Sequence, residues 1–160
     1  MNKFIGNWNI SGILSYESGR PQTMYENSEL SSYLFAGGNQ FPNVVSGQSP
    51  LTGGSFTNPF GQVYYNANAF SDPGSFAFGD SPRTTSGIRG FHFYNEDISI
   101  YKDTYFGETK YVRFQATAGN LLNRVDFCPP NSTVNSGGFG TTFTQCNVPR
   151  RIQMGLQVFF

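Results

Sequence analysis

Apolar residues recur at every second position in four separate stretches of this chain, and that period decides the class of fold open to it. A period of two places alternate side chains on opposite faces of an extended strand, whereas one face of a helix needs spacings of three and four. In the first stretch Trp8, Ile10, Gly12, Leu14 and Tyr16 share one side. Asn9, Ser11, Ser15 and Glu17 share the other, with Ile13 the exception. The second stretch runs from Phe91 to Phe106 and alternates most clearly through Asp97, Ile98, Ser99, Ile100, Tyr101, Lys102 and Asp103. The third begins at Lys110, with Val112, Phe114, Ala116 and Ala118 opposite Arg113, Gln115 and Thr117. In the fourth, Ile152, Met154, Leu156, Val158 and Phe160 oppose Arg151, Gln153, Gly155, Gln157 and Phe159. The pattern predicts an all-β, antiparallel fold with strands at about 7–18, 91–106, 110–125 and 150–160.

The connections between these strands are very unequal. A short turn around Phe106, Gly107, Glu108 and Thr109 joins the second to the third, whereas 21–90 and 126–149 separate the others. Both long connections are rich in Gly, Ser, Asn and Pro, as in Phe35-Ala36-Gly37-Gly38-Asn39 and Asn135-Ser136-Gly137-Gly138-Phe139-Gly140. A connection as long as 21–90 with little regular pattern is uncommon inside a compact domain.

Composition narrows the choice further. Ten basic and ten acidic residues cancel, and charged residues make up 12% of the chain, against roughly 25% in soluble domains. A neutral chain lacks the clustered Lys and Arg that bind phosphate backbones, so no nucleic-acid partner is expected. No stretch approaches the roughly 18 apolar residues of a helical span, and the opening residues do not read as a charged-then-apolar leader. Two architectures remain: a soluble all-β module, binding or adhering through its long loop, and part of an outer-membrane β-barrel. Tight turns on one side, long loops on the other, and strands of about 9–11 residues with one apolar and one polar row suit the barrel. A soluble sheet predicts the same alternation, with its apolar row against a core.

The last residues favour the barrel. Gln153-Met154-Gly155-Leu156-Gln157-Val158-Phe159-Phe160 fits the outer-membrane assembly signal, with Gln153, Gly155, Val158 and Phe160 at its polar, glycine, apolar and aromatic places. Such a strand can pair edge-on with the insertion machinery before a barrel closes. Further motifs run through the chain in order. They are Gly6-Asn7-Trp8, Ser11-Gly12-Ile13, Ser18-Gly19-Arg20-Pro21-Gln22-Thr23, Tyr65-Asn66-Ala67-Asn68-Ala69-Phe70 and Phe78-Gly79-Asp80-Ser81-Pro82-Arg83. Ile88-Arg89-Gly90-Phe91, Asp97-Ile98-Ser99-Ile100-Tyr101-Lys102, Val112-Arg113-Phe114-Gln115-Ala116, Asn120-Leu121-Leu122-Asn123 and Pro149-Arg150-Arg151-Ile152 follow. Together they resemble the C-terminal barrel segment of the Oar-like TonB-dependent outer-membrane transporters, which usually carry an N-terminal carboxypeptidase-regulatory-like domain. Leu122 stands where that family has Phe, and residues 25–61 carry little of the likeness.

The resemblance implies the last four strands of a barrel of about 22, in a bacterial outer membrane with the C-terminus in the periplasm. Residues 21–90 and 126–149 would be extracellular loops. Ile152, Met154, Leu156, Val158 and Phe160 would face lipid, and Asp97, Ser99, Tyr101, Arg113, Gln115 and Gln157 would face the lumen. The expected partners are membrane lipid, the barrel-assembly machinery, the remaining barrel and plug, and TonB through the N-terminal part. The signal peptide, plug, TonB box and most strands of that family have no counterpart here, so 1–160 reads as a C-terminal fragment whose open edges need partners. It would supply wall, loops and assembly signal for active uptake of a large or scarce solute.

No catalytic, cofactor-binding or metal-ligating set is visible, and no enzymatic activity is expected. His92 is the single histidine. Glu96 and Asp97 are adjacent and so point to opposite faces of a strand. Gly137-Gly138-Phe139-Gly140 lacks the strand and helix of a nucleotide loop and reads as flexible; Asn131-Ser132-Thr133 reads as a polar loop. Cys128 and Cys146 lie near the two ends of the second long loop, and an even cysteine count in an oxidising compartment suits a disulfide. Two cysteines without histidine partners are too few for a metal. Trp8, Tyr16, Phe106, Phe159 and Phe160 fall at strand ends, as interfacial aromatics do. Tyr25, Tyr33, Phe35, Phe41, Phe56, Phe60, Tyr64, Tyr65 and Phe70 are expected to pack the long loop on itself, with stacking on a sugar or peptide the alternative.

Overall fold

The computed structural model describes residues 5–26, 40–54, 58–74 and 76–160, with the side chain of Ser86 left aside. Tyr33, Phe35 and Phe56 of the expected loop aromatics lie outside the described residues. The strands are β1 (Trp8–Glu17), β2 (Pro21–Gln22), β3 (Asn43–Val44), β4 (Phe70–Ser71), β5 (Thr85–Arg89), β6 (Phe93–Tyr105), β7 (Tyr111–Gly119) and β8 (Arg151–Phe159). A 3₁₀ turn, Ala67–Ala69, precedes β4. No helix among the described residues is long and apolar enough to cross a membrane, which says nothing of strands. The chain divides into two units.

The first unit comprises Met1–Glu17, Phe93–Val125 and Asn147–Phe160. It is one antiparallel sheet in the order β1-β6-β7-β8. Its four strands are the four stretches of period two. They end one to two residues inside the expected limits, except that β7 stops at Gly119 rather than near 125. The cause is local. Asn120 and Asn123 both take left-handed backbone angles, φ 49° and 53°, which asparagine tolerates better than most residues. Asn120 then fastens the turn, donating from Nδ2 to the Arg124 and Val148 carbonyls at 2.8 and 3.0 Å.

Register turns the four alternating patterns into two continuous faces. Ile10, Ile100, Ala116 and Met154 lie in one row, and Gly12, Ile98, Ala118 and Ile152 in the next. The other face carries Ser99 beside Thr117 and Gln153, then Tyr101 beside Gln115 and Gly155. The buried hydrophobic core among the described residues (Met24, Tyr64, Tyr65, Ala69, Phe70, Ile88 and Phe139) belongs to the second unit. Among the described residues of the first unit, the apolar side chains of the sheet are left exposed.

The second unit comprises Ser18–His92 and Asp126–Cys146. The sequence reads these as two separate loops of little regular structure; instead they fold together. β2 pairs with β5 and β3 with β4, and isolated bridges join Tyr25 to Thr133, Phe60 to Thr142 and Val63 to Thr141. The loop aromatics supply the core: Tyr65 and Phe70 both meet Phe139, at ring-centroid distances of 5.8 and 6.0 Å, and Tyr64 meets Phe91 edge-on at 4.9 Å. The Gly137–Gly140 stretch, expected to be a flexible loop, is a packed turn. Phe139 is buried, and Gly140 has φ +73°, where an added Cβ would lie 2.8 Å from the Tyr65 amide nitrogen.

Candidate functional site

The feature with functional content in the first unit is the contrast between its faces. On the apolar face Ile10 is 72% exposed, Met154 70% and Leu156 69%. Burying such side chains is worth about 1.5–3 kcal/mol each, so a sheet surrounded by water would place them inside. The charged groups on this face sit where the apolar run ends. Lys102 donates to the Gly6 carbonyl at 2.8 Å and lies over the Trp8 ring at 5.1 Å. At the other end the Glu96 carboxylate accepts from Arg124 Nε at 2.8 Å and from the Tyr16 hydroxyl at 2.9 Å. Tyr16 packs on Tyr94 there at 5.5 Å.

The apolar run is slanted relative to the strands. It is bounded by Trp8 and Tyr16 on β1, Lys102 and Glu96 on β6, Lys110 and Asn120 beside β7, and Phe160 and Arg150 beside β8. Projected onto β6 through the register, its midpoint lies at residue 98 for β1, 99 for β6, and 101 for β7 and β8. That drift is about 10 Å along the strands over about 14 Å across them. The band is inclined by roughly 35°, within the strand tilt of membrane barrels.

All six residues expected to face a lumen share the opposite face. Arg113 makes two parallel bonds to Asp103, Nε to Oδ1 at 2.7 Å and a terminal nitrogen to Oδ2 at 2.8 Å. Its guanidinium also lies 4.5 Å from the Tyr101 ring centroid. The fork-on-fork geometry holds the charge pair rigidly. Ser99 and Thr117 share a hydroxyl bond of 3.2 Å. Asp97 is committed to structure, accepting the Asn120 amide at 2.9 Å. Gln115, Thr117, Gln153, Gly155 and Gln157 line a shallow depression of amides and hydroxyls. This face can hold water and neutral polar groups. Its Asp103 and Arg113 are committed to each other, and among the described residues no cluster of three or more His, Cys, Asp or Glu side chains could hold a metal ion.

Two features of this face escape a reading of single strands. Tyr105, Tyr111 and Phe159 form a ladder across β6, β7 and β8 with centroid spacings of 5.1 and 4.3 Å. The Asp103–Arg113 pair is the other. The tight turn at 106–110 sets Tyr105 opposite Tyr111 and with it Asp103 opposite Arg113, while Phe159 joins the ladder through the β7–β8 register.

Of the assembly-signal residues, Gln153 and Gly155 lie on the polar face and Val158 on the apolar one. Phe160 follows β8 and is 98% exposed. β1 and β8 are the edges of the sheet, each hydrogen-bonded on one side only among the described residues.

In the second unit Cys128 and Cys146 are bonded, with Cα atoms 4.9 Å apart. The bond staples a short antiparallel ladder. Cys146 N donates to the Asp126 carbonyl at 2.8 Å and Cys128 N to the Thr144 carbonyl at 2.9 Å. His92 is exposed. Asn131 is engaged in its own turn, Oδ1 accepting the Thr133 amide at 3.0 Å and Nδ2 donating to Ser136 at 2.9 Å. Burial pushes the Tyr65 and Tyr64 hydroxyls above the ordinary phenol range. Burial likewise raises the Glu26 carboxyl, partly opposed by the hydrogen bond from Asn135.

Residues 1–153 match the family model described as an outer membrane beta barrel domain. No curated protein and no solved structure matches the chain.

Proposed function

The chain belongs to the outer-membrane β-barrel family, and from that premise we propose that it is the C-terminal wall of a TonB-dependent, Oar-like transporter. A barrel protein of this family resides in the bacterial outer membrane in contact with lipid. In our reading Ile152, Met154, Leu156 and Val158 meet that lipid, and the face of Ser99, Tyr101, Arg113, Gln115 and Gln157 lines a lumen occupied by a plug. The second unit is the extracellular portion, and the C-terminal end is periplasmic. β8, with Gln153, Gly155, Val158 and Phe160, is the strand offered to the assembly machinery. TonB acts through the N-terminal part of the whole transporter. The chain performs no chemical step; it contributes wall and surface to uptake of a large or scarce solute.

One observation carries the reading: the apolar face is bare, slanted by about the angle of membrane strands, and bounded at both ends by aromatic and charged side chains. A soluble binding module would cover that face. Four strands cannot close, so the two edges call for the remaining barrel, as a transporter of about 22 strands provides. The TonB-dependent, Oar-like part rests on the motifs from Gly6-Asn7-Trp8 to Pro149-Arg150-Arg151-Ile152.

The test is co-purification of the outer-membrane protein that carries these strands with the periplasmic domain of TonB, alongside membrane fractionation. Retention of TonB by the outer-membrane fraction is the expected result. Outer-membrane location without TonB retention sinks the transporter reading and leaves the barrel. Recovery in the soluble fraction sinks the membrane-wall reading.

A further inference from the structure

Glu26 and Gln40 oppose each other across an isolated antiparallel bridge, the Glu26 amide donating to the Gln40 carbonyl at 2.9 Å. Directly opposed residues of such a bridge send their side chains to the same side. Both are more than nine-tenths buried, at 6% and 7% exposed. Each ends in an oxygen without a hydrogen-bond partner among the described residues: Glu26 Oε2 and Gln40 Oε1. The other polar atoms of these side chains are used. Asn135 Nδ2 donates to Glu26 Oε1 at 2.6 Å, and Gln40 Nε2 donates to the Ala77 carbonyl at 2.7 Å.

A third acceptor comes from the end of β4. The β3–β4 register, continued by one residue, sets Pro42 opposite Asp72, on the strand line that Gln40 leads into. Asp72 is itself exposed; its carboxylate adds to burial in raising the Glu26 carboxyl, and its Oδ1 accepts the Gly74 amide at 2.6 Å. No ion pair among the described residues reaches Glu26 or Asp72. Two like-charged carboxylates and an amide oxygen repel one another, and the orphaned Glu26 and Gln40 oxygens are buried without a donor, which adds to the cost.

We propose that Glu26, Gln40 and Asp72 bind a hard divalent cation, for which Ca²⁺ is the best match. Every available donor is oxygen, from two carboxylates and one amide, the ligand set Ca²⁺ prefers. Ca²⁺ tolerates irregular geometry and completes its shell with water, whereas Mg²⁺ demands a near-ideal octahedron. The Asn135 amide reaches the same carboxylate, and rotated about its terminal bond it would present its oxygen instead. The ion would clamp the chain where it enters and leaves residues 27–39 to the segment that follows β4. A proton shared between Glu26 and Asp72 is the competing way to relieve the repulsion, and the experiment separates the two.

The full chain in detergent is titrated with CaCl₂ by calorimetry near neutral pH, after chelator treatment. A site with two carboxylates should bind with Kd of about 10⁻⁴–10⁻³ M, the range of extracellular calcium modules. Glu26→Gln and Asp72→Asn should each weaken binding at least tenfold, while Glu108→Gln in the β6–β7 turn leaves it unchanged. Near-UV circular dichroism in chelator checks that each variant is folded. Absence of binding by the unsubstituted chain up to about 10 mM Ca²⁺ overturns the proposal in favour of the shared proton. Binding that survives both substitutions overturns it as well.

Discussion

Met154→Arg should obstruct insertion of the sheet into a bilayer, and Gln153→Arg should not. The two positions are adjacent on β8, yet their side chains leave opposite faces. Met154 lies in the row of Ile10, Ile100 and Ala116, and it is 70% exposed. It is one residue from the middle of the apolar run on its strand, about 3 Å along the chain. An arginine at the midplane of a membrane barrel costs about 2–4 kcal/mol, a factor of about 30 to 900 in the folding equilibrium. An arginine at 153 enters the depression shared with Gln115, Thr117, Gly155 and Gln157. It remains hydrated there, and its cost should stay within about 0.5 kcal/mol. The assay is urea-dependent folding into lipid vesicles, followed by Trp8 fluorescence, with both substitutions made in the barrel that carries these strands. Equal penalties at the two positions, or a larger one at 153, would refute the assignment of faces.

Three further predictions concern individual contacts. Replacing Cys128 and Cys146 by Ser removes a crosslink spanning 18 positions, which should cost about 3 kcal/mol of the second unit's stability in denaturant; two reactive thiols in the unreduced, unfolded protein would contradict the bond. Arg113→Lys loses one arm of the paired hydrogen bonds to Asp103 and the contact with Tyr101; a double-mutant cycle with Asp103→Asn should give a coupling of about 1 kcal/mol, and additive effects would rule the pair out as an energetic unit. Glu26→Gln in chelator should stabilise the second unit as pH rises. The native carboxyl, buried beside Asp72, Gln40 and Asn135, titrates above the ordinary range, so the unfolded state releases its proton first. Native stability then falls from about pH 4.3 upward until the raised value is passed. Thermal midpoints of the two proteins should coincide at lower pH and separate above it; curves that stay parallel would show that Glu26 does not carry the effect.

Legibility from sequence differed sharply between the two units. In the first, β1, β6, β7 and β8 each announce themselves by period two, because a half-exposed strand must alternate whatever it pairs with. The tight turn at 106–110 then makes the β6–β7 register, and with it the Asp103–Arg113 pair, deducible in principle. The early end of β7 does not show in the sequence, because Leu121, Leu122 and Val125 continue an apolar look while Asn120 and Asn123 reverse the chain. In the second unit little was legible beyond the cysteine pair and the self-packing of loop aromatics such as Tyr64, Tyr65 and Phe70. Tyr25 meets Thr133 and Glu26 meets Asn135 across more than a hundred residues. Bridges of one residue leave no periodic trace, and although the loop aromatics are expected to pack on one another, their sequence does not say which of them meet.

By itself the chain's alternation determined that it would be extended and two-faced, since side-chain direction in a strand depends only on the parity of the position. Which surface lay under the apolar row was a question of tertiary structure. Burial is a property of the neighbours a face acquires, and here Ile10 and Met154 stay exposed, with no buried neighbours of their own among the described residues. The core formed instead between two stretches that look like loops, because Phe139 and Tyr65 are brought together by backbone approach at Gly140. No local pattern encodes that approach.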